Sequence, residues 1–204
     1  MELINQSHEI LKIPTNLKLI ELAGRTCYQS HDKITEDSVN LFVEKMVNSG
    51  HHAMIEFEDI VVRFITNRGV SHEFVRHRLC NFAQESTRYV RKSNVTFIKP
   101  VWYDRSTDEQ KENFLISMIH AEKGYRQALN LGWIPEQARE ILTNALKTEI
   151  VVKCNLREWR HILNLRCSKY AHPQFRALLT PLLIKMHEKL LYVFDDIYDK
   201  YMNE

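Results

Sequence analysis

Only five glycines and five prolines are spread through the 204 residues. A loop-rich β-sandwich or barrel needs more chain-reversing residues, so most of this chain must lie in long regular elements. After a short N-terminal strand, helical patterns occupy Asn16–Cys27 and Thr35–Asn48, with Gly50 just past the second, where a helix stop is expected. Glu56–Thr66 is rich in β-branched and aromatic residues and reads as a strand. Val70–Leu79 reads as a short helix, and Asn81–Val90 and Val95–Ile98 as extended. Ser106–Leu131 and Pro135–Leu146 carry helical patterns, and Thr148–Cys154 reads as a strand. Asn155–Arg166 and Pro173–Tyr201 close the chain as helices; Pro173 suits a first turn, and Pro181 is expected to bend or break the last helix. Without a steady βαβ rhythm, this order predicts an α/β (α+β) fold with a mostly antiparallel central sheet flanked by helices. No linker or repeat interrupts residues 1–204, which read as a single domain.

The stretch Val75–Arg91 concentrates chemistry. It holds Arg76, Arg78, Arg88 and Arg91 against one carboxylate, Glu85, with Asn81, Gln84, Ser86 and Thr87 between them. The formal net charge of the chain is only +2, so the arginines are a local concentration. That favours a pocket for one small anion over a broad nucleic-acid coat. On a helix over 70–79, at about 100° per residue, Arg78 falls inside the apolar arc of Val70, Phe74, Val75 and Leu79, and Arg76 points roughly 160° away. The two arginines are therefore expected to serve different ligands, or different parts of one large ligand. Arg88, Ser86, Thr87 and their backbone N–H groups suit a phosphate.

Other readings are narrowed by spacing. His72 and His77 are five residues apart, about 140° around a helix, and cannot share one ion as histidines four apart do; no metal site is expected. Cys27, Cys80, Cys154 and Cys167 form no Cys-x-x-Cys pair. The N-terminus lacks a signal-peptide pattern and no stretch reaches the roughly 20 apolar residues of a membrane span, so a cytoplasmic protein without membrane or nucleic-acid partners is expected.

Arg76-His77-Arg78 followed, after seven residues, by Ser86 resembles the signature of the flavin-dependent thymidylate synthases. Three further segments are similar to that family in the same order. They are Gly50–Glu56, Ile134–Arg139, and Asn155–Arg166 with Ala171–Arg176. The resemblance implies an enzyme, a methyltransferase that converts dUMP to dTMP with FAD as cofactor, methylenetetrahydrofolate as carbon donor and NADPH as reductant. It also implies a homotetramer with sites at subunit interfaces. Carried onto this sequence, Arg76, His77 and Arg78, with Ala53 and Gln84, would hold FAD, and Asn155, Leu156, Arg157 and His161 would line the flavin site. Gln84, Glu85, Ser86, Thr87 and Arg88 would cradle dUMP, supported by Glu73, Phe74, Val75 and Arg76, with Arg139 reaching it from another subunit. Arg166 and Ser86 are the catalytic candidates. Arg166 would sit against the uracil, where a fixed cation favours the ionised ring. Ser86 has no histidine set beside it as a base, so its role is to position and polarise. Ala53 stands where many members carry Ser or Thr, and Tyr170 where some carry His, with His172 two residues on. His51 and Tyr89 are candidates for folate. Two alternatives remain at this point: alkylation of another pyrimidine nucleotide, and a non-catalytic nucleotide- or RNA-binding module.

Overall fold

The computed structural model describes residues 1–89 and 95–203, so Val90 and Arg91 of the arginine stretch lie outside the described residues. Strands β1 (Glu2–Ile4), β2 (Ser7–Lys12), β3 (Asp59–Asn67), β4 (Asn81–Gln84), β5 (Thr96–Ile98) and β6 (Lys147–Asn155) alternate with helices. The helices are α1 (Lys18–Cys27), α2 (Ser38–Asn48), α3 (Arg68–Phe74), α4 (Asp108–Asn130), α5 (Pro135–Ala138), α6 (Leu156–Arg166), α7 (Pro173–Lys189) and α8 (Leu191–Met202). Four strands form an antiparallel sheet in the order β2-β3-β6-β4, while β1 and β5 pair in parallel with Glu2 opposite Thr96. The mixed α/β class with a mostly antiparallel sheet is the one the sequence pattern predicts. Among the described residues no helix is long and apolar enough to cross a membrane.

The chain divides into two compact units. Met1–Ser7, Phe64–Arg76 and Phe82–Val151 make one; His8–Arg63, His77–Asn81 and Val152–Glu204 make the other. In the first, Val95, Phe97, Met118, Tyr125 and Leu146 form a buried cluster under α4. That helix starts on a capping box, Thr107 Oγ1 accepting from the Gln110 N–H and the Gln110 side chain from the Thr107 N–H. In the second, α6 buries Trp159, Ile162 and Leu163 against Phe175, Leu179 and Leu183 of α7 and Val193 and Phe194 of α8. The Trp159 indole donates to the Ile60 carbonyl at 3.0 Å, which satisfies the polar atom of a fully buried ring. Arg160 is buried too, and its fork meets both Asp196 oxygens at 2.7 Å and the Val193 carbonyl.

Pro135–Leu146, expected to be one helix, is helical only as α5 and a 3-10 turn at Arg139–Ile141. Of the expected extended stretch Asn81–Val90, the described residues are strand only over β4. Three further boundaries depart from expectation. Met54–Phe57 wind into a 3-10 turn, so β3 begins at Asp59 and not at Glu56. The long C-terminal helix runs through Pro181 and breaks at Leu190, where φ is −136° and ψ 57°. Leu178, Leu179, Leu182 and Leu183 are buried on both sides of the proline, and that packing holds the helix against the lost N–H. The third departure matters for the site: α3 stops at Phe74, and Arg76–Leu79 are not helical. The helical projection that turned Arg78 inward therefore does not hold. Arg76 and Arg78 are both exposed, and His77 is the buried residue of the triplet. A neutral imidazole enters the interior at far lower cost than a guanidinium.

Candidate active site

Candidate residues gather in two places, one in each unit. In the second unit His77, only 5% exposed, is flanked by α6 residues. Its Nε2 accepts from Arg166 Nε at 3.1 Å, and its Nδ1 lies 3.6 Å from Glu158 Oε1. The His161 ring stands edge-on at 5.9 Å, and the Arg166 guanidinium lies over the Phe175 ring at 4.9 Å. Burial, then the Arg166 charge, then His161 hold the His77 pKa down at about 4. The ring is therefore neutral near pH 7, and because Nε2 accepts, its proton sits on Nδ1. Glu158 is 7% exposed, and burial raises its pKa. Its contact with His77 is a carboxylate beside a neutral imidazole, not an ion pair. Arg166 is half-buried at the end of α6.

Among the described residues His77, Glu158 and His161 bring three metal-type ligand atoms within 4.8 Å of one another. This is not the His72–His77 pair weighed in the sequence. The Arg166 cation, hydrogen-bonded to the same imidazole, opposes a metal ion there.

Of the other α6 candidates, Arg157 and His161 line cavities, while Asn155 and Leu156 serve the helix and the core. Asn155 Oδ1 caps the helix by accepting from the Glu158 N–H at 2.9 Å, Leu156 is fully buried, and Arg157 reaches Glu56 at 2.6 Å. Arg157, His161 and His52 line a cavity of ≈410 Å³. Arg157 and His52 also line a neighbouring cavity of ≈350 Å³ with Ala53, His51 and Tyr28. Arginine, imidazoles and the backbone at Ala53 along two connected hollows fit a large ligand with a diphosphate.

In the first unit Arg68, His72, Thr87, Arg139 and Asn144 line a cavity of ≈270 Å³. Arg68 is half-buried, and its pKa is pushed down by burial and then by Arg139. Among the described residues no side-chain hydrogen bond or ion pair reaches its guanidinium. Arg139 contacts only the exposed Glu140, at 3.3 Å, among its carboxylates. Glu140 lines the same hollow and Glu85 offsets part of the Arg68 shift, but the two guanidinium groups still face one another there, an arrangement that a bound anion would relieve.

The other sequence candidates are tied into structure. Gln84 donates to Ser71 Oγ at 2.9 Å and Thr148 Oγ1 at 3.1 Å. Glu85 pairs with Lys147 at 3.1 Å. Ser86 Oγ accepts from the Arg88 N–H at 3.1 Å, and the Arg88 side chain meets Glu136 at 2.7 Å. The carboxylate missing from the arginine stretch thus arrives from 48 residues away. Glu73 is half-buried, Phe74 buried against Phe64 with ring centroids 4.7 Å apart, and Val75 exposed. Sequence reasoning missed Arg68, Asn144, His52 and Glu158. Only Asn67, a helix-capping residue closing a strand, hinted that Arg68 would stand at a junction.

Comparison with known proteins identifies an enzyme of the methyltransferase class. Residues 9–190 match the family described as thymidylate synthase complementing protein, and the chain belongs to that family of flavin-dependent thymidylate synthases. It is 32% identical over 172 residues to a flavin-dependent thymidylate synthase from Geobacter sulfurreducens, covering 80% of this chain and 74% of that one. A flavin-dependent thymidylate synthase from Corynebacterium glutamicum is 30% identical over 197 residues, covering 87% and 78%. One from Pyrococcus furiosus is 29% identical over 194 residues, covering 92% and 78%. Among solved structures, the UMP/dUMP methylase PolB from Streptomyces cacaoi, bound with 5-Br dUMP, shares the fold with a TM-score of 0.81 at 20% identity, covering 98% of each chain.

Proposed function

We propose that this protein methylates dUMP to dTMP with FAD as cofactor, methylenetetrahydrofolate as carbon donor and NADPH as reductant, working as a homotetramer. The observation that carries the substrate assignment is the cavity of Arg68, Arg139, His72 and Thr87. A nucleoside monophosphate brings a phosphate dianion, which compensates both guanidinium groups at once. Ser86 and Arg88, which flank Thr87 in the sequence, would extend the cradle.

The hollows along Ala53, His52, Arg157 and His161 suit FAD, which Arg157 and His161 would hold. When bound, the flavin supplies the two-electron redox chemistry that the side chains lack. The chain's own contribution is position and field. Arg166, held by His77 and Phe175, presents a fixed cation that favours negative charge on the uracil as C5 becomes nucleophilic. Ser86 orients and polarises the substrate and forms no covalent bond to it.

The test is a purified protein, its absorbance spectrum and a dTMP assay with all three co-substrates, with UMP run in parallel. Yellow protein that forms dTMP only when dUMP, the folate and NADPH are all present supports the reading. Protein that stays colourless after FAD is added overturns it.

A further inference from the structure

We infer that Glu158 is the positioning residue of this site: through the His77 imidazole, which it holds in the Nδ1–H tautomer, it fixes where the Arg166 guanidinium points. The inference rests on the proposed role of Arg166, but its first readout does not.

The geometry is a chain of three groups within one unit. Arg166 Nε donates to His77 Nε2 at 3.1 Å, which requires a lone pair on Nε2. The ring's proton must then be on Nδ1, and Glu158 Oε1 lies 3.6 Å from Nδ1. That distance is too long for a formed hydrogen bond and close enough for the carboxylate to attract the N–H dipole strongly in a buried setting. His77 and Glu158 are 5% and 7% exposed, so little water reaches either group. Without the carboxylate, the other tautomer would aim an N–H at the Arg166 N–H. Two donors would face each other, and the Arg166 hydrogen bond to His77 would be lost. An acid that orients an imidazole so that its far nitrogen can accept follows the same logic as acid–imidazole pairs in hydrolases.

A bland reading also exists. Glu158 occupies the first turn of α6, where a carboxylate favours the helix and its own N–H is capped by Asn155. On that reading its loss lowers stability and nothing else.

Variants separate the two. Glu158→Gln keeps the reach and an acceptor oxygen but not the charge; Glu158→Asp keeps the charge but withdraws it by a methylene; Glu158→Ala removes both. Imidazole ¹⁵N spectra, with His77 assigned from its loss in His77→Gln, report the tautomer without substrate or flavin. The wild type and E158Q are expected to show protonated Nδ1 and bare Nε2. E158A and E158D are expected to show Nε2–H populated, with turnover about 10- to 100-fold down, and with flavin content and dUMP affinity held within about 2-fold. If E158A fails to fold, E158D carries the comparison. Unchanged His77 spectra in both would overturn the inference, as would a changed tautomer with wild-type turnover. If even the wild type forms no dTMP, the proposed function falls, while the tautomer comparison still decides what Glu158 does.

Discussion

Arg166 donates its Nε–H to Nε2 of His77 at 3.1 Å across 89 residues of sequence. A protonated imidazole has no lone pair to accept with, so this contact commits the buried ring to its neutral form. In the unfolded chain His77 takes up a proton as pH falls through about 6.5; in the folded chain it resists until about 4. Across that window the unfolded state binds more protons, so the fold loses stability as pH falls from 6.5 to about 4.

Replacing His77 with Gln, which can accept from Arg166 without titrating, should flatten that dependence. Urea melts at pH 7 and pH 4.5 should show the wild type losing more stability than His77→Gln, by on the order of 3 kcal/mol over the full window. Equal slopes would show that His77 takes up its proton in the fold as readily as it does in the unfolded chain.

Arg68 supports a prediction in which stability and binding move in opposite directions. Its half-buried guanidinium shares a small cavity with Arg139, and after burial the Arg139 charge is the next cause that disfavours the Arg68 cation. Arg68→Met keeps the apolar stem and removes the charge. The variant should melt at or above the wild-type temperature in phosphate-free buffer, yet bind dUMP about 10- to 100-fold more weakly, the scale of a lost charged hydrogen bond. Calorimetric titration with dUMP and with deoxyuridine checks the source of the loss. The two affinities should converge in the variant because only the phosphate contact is gone.

These two sites differ in how far sequence could reveal them. Helix α6 was legible because Asn155 caps it, its apolar face repeats, and Arg166 sits on that face. Strands β3 and β6 were legible because Ile60, Val62 and Phe64, and Ile150 and Val152, alternate inward. The end of α3 was not, because local spacing cannot register that burying His77 is cheaper than burying Arg78. Pairings such as Arg88 with Glu136 and Arg166 with His77 depend on tertiary approach, so a count of nearby charges misjudged the first. Arg68 was invisible for the same reason: only the fold brings Arg139 to it.

Gly24 is a packing constraint that sequence alone does not explain. It lies inside α1, where glycine costs about 1 kcal/mol relative to alanine. A Cβ at this position would lie 2.3 Å from Cζ of Phe42, whose ring is sandwiched with the Arg25 guanidinium at 4.7 Å. Overpacking of that kind costs about 1–3 kcal/mol, and a 2.3 Å approach belongs at the upper end. Gly24→Ala should therefore lower stability by about 1–2 kcal/mol despite the better helix former. Adding Phe42→Leu should recover part of the loss in denaturant melts. A stabilised Gly24→Ala single variant would mean that the Phe42 ring swings aside freely.

Arg166 separates binding from turnover. If it meets negative charge on the uracil, that charge is small when dUMP first binds and largest as the ring attacks the one-carbon unit. An interaction that strengthens toward the transition state appears in kcat more than in affinity. Arg166→Ala should lower turnover about 100-fold or more, the scale of losing one oxyanion-type contact, while flavin content stays and dUMP affinity falls by less than turnover does. The structure supplies a further consequence. Removing Arg166 takes away the donor to His77 Nε2 and the second-largest cause of that residue's low pKa, so the His77 pKa should rise toward its ordinary range. A ¹⁵N titration of His77 in Arg166→Ala reads this directly and needs no substrate. A folded, flavin-loaded variant with near-normal turnover would remove Arg166 from the catalytic residues, and an unmoved His77 titration would show that burial alone keeps the ring neutral.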